Sequence, residues 1–138
     1  MATPGASMSL GLLILRLGSG GFMIALHGWG KLVNFSARSQ TFADPLGIGS
    51  PASLALATFT EVFCAFAVML GFLTRAASTG LLVTMWVAAF IRHAADPWSK
   101  KELAVVYSIM FLVLIVTGGG AFSLDQLLDP VYRKLLRK

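Results

Sequence analysis

Four ionisable residues occupy positions where a chain dissolved in lipid accommodates charge least well. Arg16, His27 and Lys31 interrupt the otherwise apolar stretch 10–33, LGLLILRLGSGGFMIALHGWGKLV, and Glu61 lies within a second apolar run that opens near residue 52. Charged groups in hydrocarbon are expensive and are read first as functional. At ~100° per residue, Arg16, Gly20, Met23, His27 and Lys31 share one stripe of a helix, so the first segment carries a polar seam that must face protein or water. The chemistry open to such a seam is proton transfer and the holding of a polar headgroup. A histidine titrates near neutrality and can relay protons or hold a quinone carbonyl. A carboxylate at mid-depth needs a cation or hydration. Antiparallel packing of the two segments puts Glu61 about 9 Å in depth from Arg16 and about 8 Å from His27, at ~1.5 Å per residue. Both are candidate partners, alone or together, and arginine's long stem closes its gap. An Arg16–Glu61 pair would either lock two helices or serve a ligand or proton site. For His27 and Lys31 the plainer reading is an interfacial histidine bonded to a backbone carbonyl, beside a lysine that snorkels to the headgroups.

The elements that must position these residues follow from hydropathy. Of the 138 residues, 57% are hydrophobic and 12% charged, with mean hydropathy +0.79, too little charge to cover a soluble domain. The apolar runs are continuous rather than alternating, which excludes a β-barrel. The expected fold is all-α, an integral membrane four-helix bundle forming one domain over 1–138, with spans at about 9–33, 52–73, 76–95 and 102–118 and an amphipathic tail over 123–138. Residues 1–8 are expected to fray. The tight turn Gly71–Arg75 forces the second and third spans to lie antiparallel and adjacent. Ser50 followed by Pro51, Ser99 with Glu102, and Ser123 with Gln126 read as helix N-caps. Gly118–Gly120 reads as a helix terminator, and Pro130 as an interruption of the tail. The connection 34–50 is long enough to cover one end of the bundle, and its Phe35, Phe42 and Ile48 suggest a lid packed on the surface. Gly18, Gly20, Gly21, Gly28 and Gly30 thin one flank of the first helix, for close packing or for a flat ligand.

Several functions are excluded by what the chain lacks. Its single cysteine, Cys64, can form no internal disulfide, and no Cys-x-x-Cys pair exists. The two histidines, His27 and His93, lie near span ends, so no haem site is expected, nor a metal or nucleotide site. No catalytic residue stands out, and no self-contained redox centre is visible; electron chemistry would need a cofactor or partner. The net charge of +5 draws on the tail residues Arg133, Lys134, Arg137 and Lys138, which suit anionic lipid headgroups and not nucleic acid. The first span lacks the basic leader and small-residue cleavage site of a signal peptide. The positive-inside rule places both termini in the cytoplasm.

These residues resemble a family. Leu15-Arg16-Leu17-Gly18, His27-Gly28-Trp29-Gly30-Lys31-Leu32, Glu61, Gly71-Phe72-Leu73-Thr74-Arg75 and Phe122-Ser123-Leu124-Asp125 occur in the order seen in the DoxX family of four-helix bacterial and archaeal membrane proteins. Gly118-Gly119-Gly120-Ala121 stands where the family usually has glycine-proline-glycine. The resemblance implies a cytoplasmic (inner) membrane protein related to a subunit of a thiosulfate:quinone oxidoreductase, with Arg16, His27, Lys31, Glu61 and Arg75 at the family's recurrent polar positions. It implies quinone-linked or oxidative-stress work as an accessory subunit, with a quinone as cofactor and a soluble or membrane oxidoreductase as partner alongside the lipid bilayer. Two other classes remain open: a small-molecule carrier or membrane-protein assembly factor using the same polar interior, and a structural scaffold.

Overall fold

The computed structural model describes residues 5–135, and every regular element among them is helical. Four long helices follow the apolar runs: α1 (Ala6–Val33), α3 (Ser50–Leu70), α4 (Thr74–Arg92) and α5 (Trp98–Thr117). Two short ones complete the chain, α2 (Phe35–Arg38) after the first span and α6 (Leu124–Leu135) at the tail. By length and composition, α1, α3 and α4 can cross a membrane. The fourth expected span, α5, has 20 residues but carries Lys100, Lys101 and Glu102 at its start. The expectation that residues 1–8 fray fails over residues 6–8, because α1 begins at Ala6; its remainder falls on residues 1–4, which, like 136–138, lie outside the described residues.

Helix α1 packs on α3 and α4 packs on α5, and the tight α3–α4 turn joins the two pairs. Met23, Val68, Leu81, Phe111 and Leu114 fill the centre. The interior also holds Ser9, Ser19, Thr58, Ser78 and Ser108, while large apolar side chains such as Phe22, Phe63, Trp86 and Ile109 face outward on all four long helices. An exterior more apolar than parts of its interior is what lipid as solvent selects. Two glycines set how closely α1 and α3 approach. A Cβ on Gly20 would sit 2.7 Å from the Ala65 carbonyl oxygen, and one on Gly28 would sit 2.7 Å from that of Glu61. Gly18 and Gly30 face open space, so only part of the thin flank serves packing.

The helix ends depart from the expected caps. Ser50 opens α3 with Pro51 in its first turn, but Ser50 Oγ donates to Phe42 O, and Gly49 is the cap residue. Asp44, six residues upstream of Ser50, instead ties the approach to α3 onto its first turn, accepting from the N–H groups of Ile48 and Gly49 and from Ser53 Oγ. Those bonds, Ser53's foremost, hold its carboxyl below the usual carboxylate range. The Ser99–Glu102 box does not form: α5 starts two residues earlier than that cap requires, at Trp98 after Pro97, which can supply no side-chain cap. Half of the Ser123–Gln126 box forms, with Gln126 N–H donating to Ser123 Oγ at 3.3 Å. Gly118 and Gly120 end α5 with φ of 74° and 77°, as a terminator requires. Helix α6 runs through Pro130 without stopping there.

Candidate functional site

The polar residues singled out in the sequence separate to opposite ends of the helix pair α1–α3. At the end near the tail, Arg16 is fully buried and donates through Nη1 to the carbonyls of Val68 and Met69 and through Nη2 to that of Phe122. It therefore ties α1 to the last turn of α3 and to the entry of α6. Asp125 completes this corner. Its carboxylate accepts from the Leu73 and Thr74 N–H groups at 2.7 and 2.9 Å, capping α4, and its own N–H donates to Gly71 O. Leu73 at φ 46° is the one non-glycine residue with positive φ among those described, and this cap secures it. Arg75 donates to Val116 O at the same end. Arg16 and Arg75 thus hold backbone together, away from the remaining candidates.

His27, Lys31 and Glu61 meet at the other end. Lys31 Nζ lies 2.5 Å from Glu61 Oε2 and 3.1 Å from His27 O. The pair is shielded, with side-chain exposures of 16% and 8%. This corrects two expectations. Glu61 pairs with Lys31 and not with Arg16, because Gly28 sets against Glu61, which leaves Arg16 about 18 Å away along α1 at ~1.5 Å per residue. Lys31 does not snorkel outward; its stem turns back one helical turn into the bundle. Nor does the His27 ring bond a carbonyl. It meets Tyr107 of α5 edge-on, with centroids 5.8 Å apart.

These groups form the inner wall of a cavity of about 860 Å³ between α1, α3, α4 and α5. Thr60 and Thr84, bonded hydroxyl to hydroxyl at 2.8 Å across α3 and α4, line it too. Its sides are apolar, from Leu56, Val83, Val87 and Leu103. The connection after α1 contributes Arg38, Phe42, Leu46 and Ile48 to its lining, and Phe35 is not part of it. Each of the three helices able to cross a membrane winds into a π-helical segment: Ile24–Gly28, Phe59–Cys64 and Val87–Arg92. Such segments close i→i+5 rings, adding a residue to the turn, and frequently mark functional sites. Here they carry His27, Thr60, Glu61 and Arg92.

The arrangement offers a weak acid–base group, a shielded ion pair and an aromatic hydroxyl at the inner end of an apolar chamber. Cavities of this size and character are the usual form of small-molecule sites. Among the described residues no cluster of three or more His, Cys, Asp or Glu is suited to a metal. Sequence reasoning missed Tyr107, Thr60, Thr84 and the contributions of Arg38, Arg92 and Lys100. Tyr107 was the accessible signal, a polar-tipped aromatic inside an apolar run.

Comparison with known proteins agrees with the motif pattern. The DoxX family model matches residues 11–94. An uncharacterised protein of Haemophilus influenzae is 33% identical over 112 residues, covering 76% of this chain and 81% of its own. The inner membrane protein YqjF of Escherichia coli is 29% identical over 106 residues, 74% and 80% of the two chains. A second uncharacterised Haemophilus protein is 29% identical over 136 residues, covering 93% of this chain and 89% of its own. No solved structure matches.

Proposed function

The chain belongs to the DoxX family, and from that premise we propose that it is an inner-membrane accessory subunit of a redox or oxidative-stress system that holds a quinone headgroup in the cavity beside His27, Lys31, Glu61 and Tyr107. The observation that carries this reading is the juxtaposition of an inward-turned Lys31–Glu61 pair with a roomy apolar chamber. A pair that served only as a lock between helices would need no chamber beside it. The donor set suits a quinone: its carbonyl oxygens accept hydrogen bonds, and His27, Lys31 and Tyr107 can donate them, while the sides would hold a ring and tail. A quinone, when bound, supplies the electron chemistry that the chain itself lacks. His27 can hold or pass a proton at a ring nitrogen. Glu61 holds Lys31 aimed inward. The loop 34–49 and the apolar walls would lie against the ring and tail.

In this reading α5 is a fourth span, its three charged residues lying at the surface and its outward Ile109, Leu112 and Val116 in lipid. The four long helices then form a single bundle with both termini in the cytoplasm and the cavity mouth on the opposite side. The YqjF relative, an inner membrane protein by name, supports the location. The test is solvent extraction of the protein purified in neutral detergent, with mass spectrometry of the extract. A quinone recovered in near-stoichiometric amount, and lost from His27→Ala, is the expected result. A different solute held tightly in its place would favour the carrier reading, and co-purification of a soluble oxidoreductase would identify the electron partner.

A further inference from the structure

Three cations from distant parts of the chain converge on the mouth of the cavity. Arg38 closes α2, Arg92 ends α4, and Lys100 lies in the first turn of α5; all three line the chamber and are exposed. The carboxylates at this end are already engaged. Glu61 holds Lys31, Asp44 accepts from Gly49 N–H and Ser53 Oγ, and Asp96 bonds the ring of His93. Asp96 feels the charges of Arg92 and Lys100 through space, but His93 is its bonded partner, and that bond above all holds its carboxyl below the usual range. Glu102 does not line the chamber. Among the described residues, the side chains of Arg38, Arg92 and Lys100 make no hydrogen bond or ion pair.

The same chamber is lined by the apolar Phe42, Leu46, Leu56, Val83 and Leu103, and by His27, Lys31, Glu61 and Tyr107. An opening that is cationic, joined to apolar sides, is complementary to a molecule with an anionic head and an apolar body. We infer that the cavity binds amphipathic anions, the carboxylate or phosphate of a fatty acid or anionic lipid seated among Arg38, Arg92 and Lys100 and the acyl portion lying along the apolar wall toward Tyr107. The inference rests on the cavity being a ligand site, but not on the ligand being a quinone. Arginine suits the role because its planar fork binds carboxylate and phosphate oxygens two at a time. The low polarity behind the mouth strengthens that attraction relative to open water.

Thermal unfolding of the full chain in maltoside micelles tests it, with oleate, oleyl alcohol, phosphatidylglycerol, inorganic phosphate and a short-tailed ubiquinone analogue as separate additives. Oleate or phosphatidylglycerol should raise Tm by about 5 °C near saturation. Oleyl alcohol and phosphate should not. A response to oleate alone identifies a free fatty anion, and one to phosphatidylglycerol identifies a lipid. The combined variant Arg38→Gln, Arg92→Gln should unfold like the parent without additive, since both residues are exposed, and should lose at least two thirds of the shift. Lys101→Gln, which removes a nearby charge outside the lining, should keep it. Equal shifts with oleate and oleyl alcohol would overturn the inference, as would an equal shift with phosphate alone or retention of the shift in the double variant. The ubiquinone analogue separates the two readings. A shift with it and none with the anions leaves the quinone reading standing and removes this one, and the converse does the opposite.

Discussion

At the scale of the residue, the decisive feature is a lysine that folds back into the bundle to meet a glutamate. Removing one member of a buried pair strands the other without compensation, whereas removing both is far less harmful. Glu61→Gln and Lys31→Met should therefore each lower stability, toward the low end of ~3–5 kcal/mol because Lys31 keeps 16% exposure. The double variant should recover much of the loss, as read by denaturation in detergent. Arg16→Met should also destabilise, since three carbonyls lose a charged donor. Combined with Glu61→Gln, its effect should be additive within about 0.5 kcal/mol, because the two residues share no partner. Mutual rescue between Arg16 and Glu61 would contradict the arrangement described.

At the scale of the element, two devices set the helices in place, and each has its own signature. The first is close approach. In Gly28→Ala the new methyl would meet the Glu61 carbonyl oxygen at 2.7 Å, backbone that cannot swing aside, so a loss of about 1–3 kcal/mol is expected. Gly18→Ala faces open space and should gain up to about 1 kcal/mol from helix propensity. The second device is capping from a distance. Asp125→Ala should cost about 1 kcal/mol and speed hydrogen exchange at the Leu73 and Thr74 amides, with little change elsewhere in α4. Asp44 instead fastens the loop to α3 through Ser53 Oγ, with a pH signature. Its folded pKa lies below the unfolded value of about 3.9, so its contribution is present above that value and fades as pH falls through the folded pKa. The Tm difference between the parent and Asp44→Ala should thus be constant from neutrality to about pH 5 and shrink below about pH 4. A difference that persists undiminished at pH 2 would remove the carboxylate from the account.

At the scale of the whole molecule, the chain presents two unlike ends. One is stitched shut: Arg16, Asp125 and Ser9 bind the backbone of the α3–α4 turn and of the segment leading into α6. The other is open, a chamber lined in part by the loop after α1. The contact of Asp125 with Leu73 and Thr74 requires the α3–α4 turn and the start of α6 to lie on one side of the membrane. Reporter fusions after Arg75 and after residue 135 should then give the same reading, cytoplasmic in the orientation proposed. Opposite readings would mean that α5 does not cross. That loop is anchored through Asp44 and Ser50, so protease should cut it slowly in the parent and faster in Asp44→Ala.

The sequence by itself determined where the helices lie. Expected limits of 9–33, 52–73 and 76–95 against Ala6–Val33, Ser50–Leu70 and Thr74–Arg92 differ by a few residues, because hydropathy and turn-forming residues act locally. It also singled out the charged residues, and the order of its motifs pointed to the family. Tertiary structure alone decided which charges meet. Partnership in depth depends on how far α1 slides along α3, and that register is set by Gly28 against the Glu61 backbone, not by the midpoints of two apolar runs. The same holds for Asp125 capping a helix 51 residues earlier in the chain and for the π-helical turns around the chamber. Local preference does not encode either feature. Both arise when helices formed independently settle against one another and their leftover polar groups find partners.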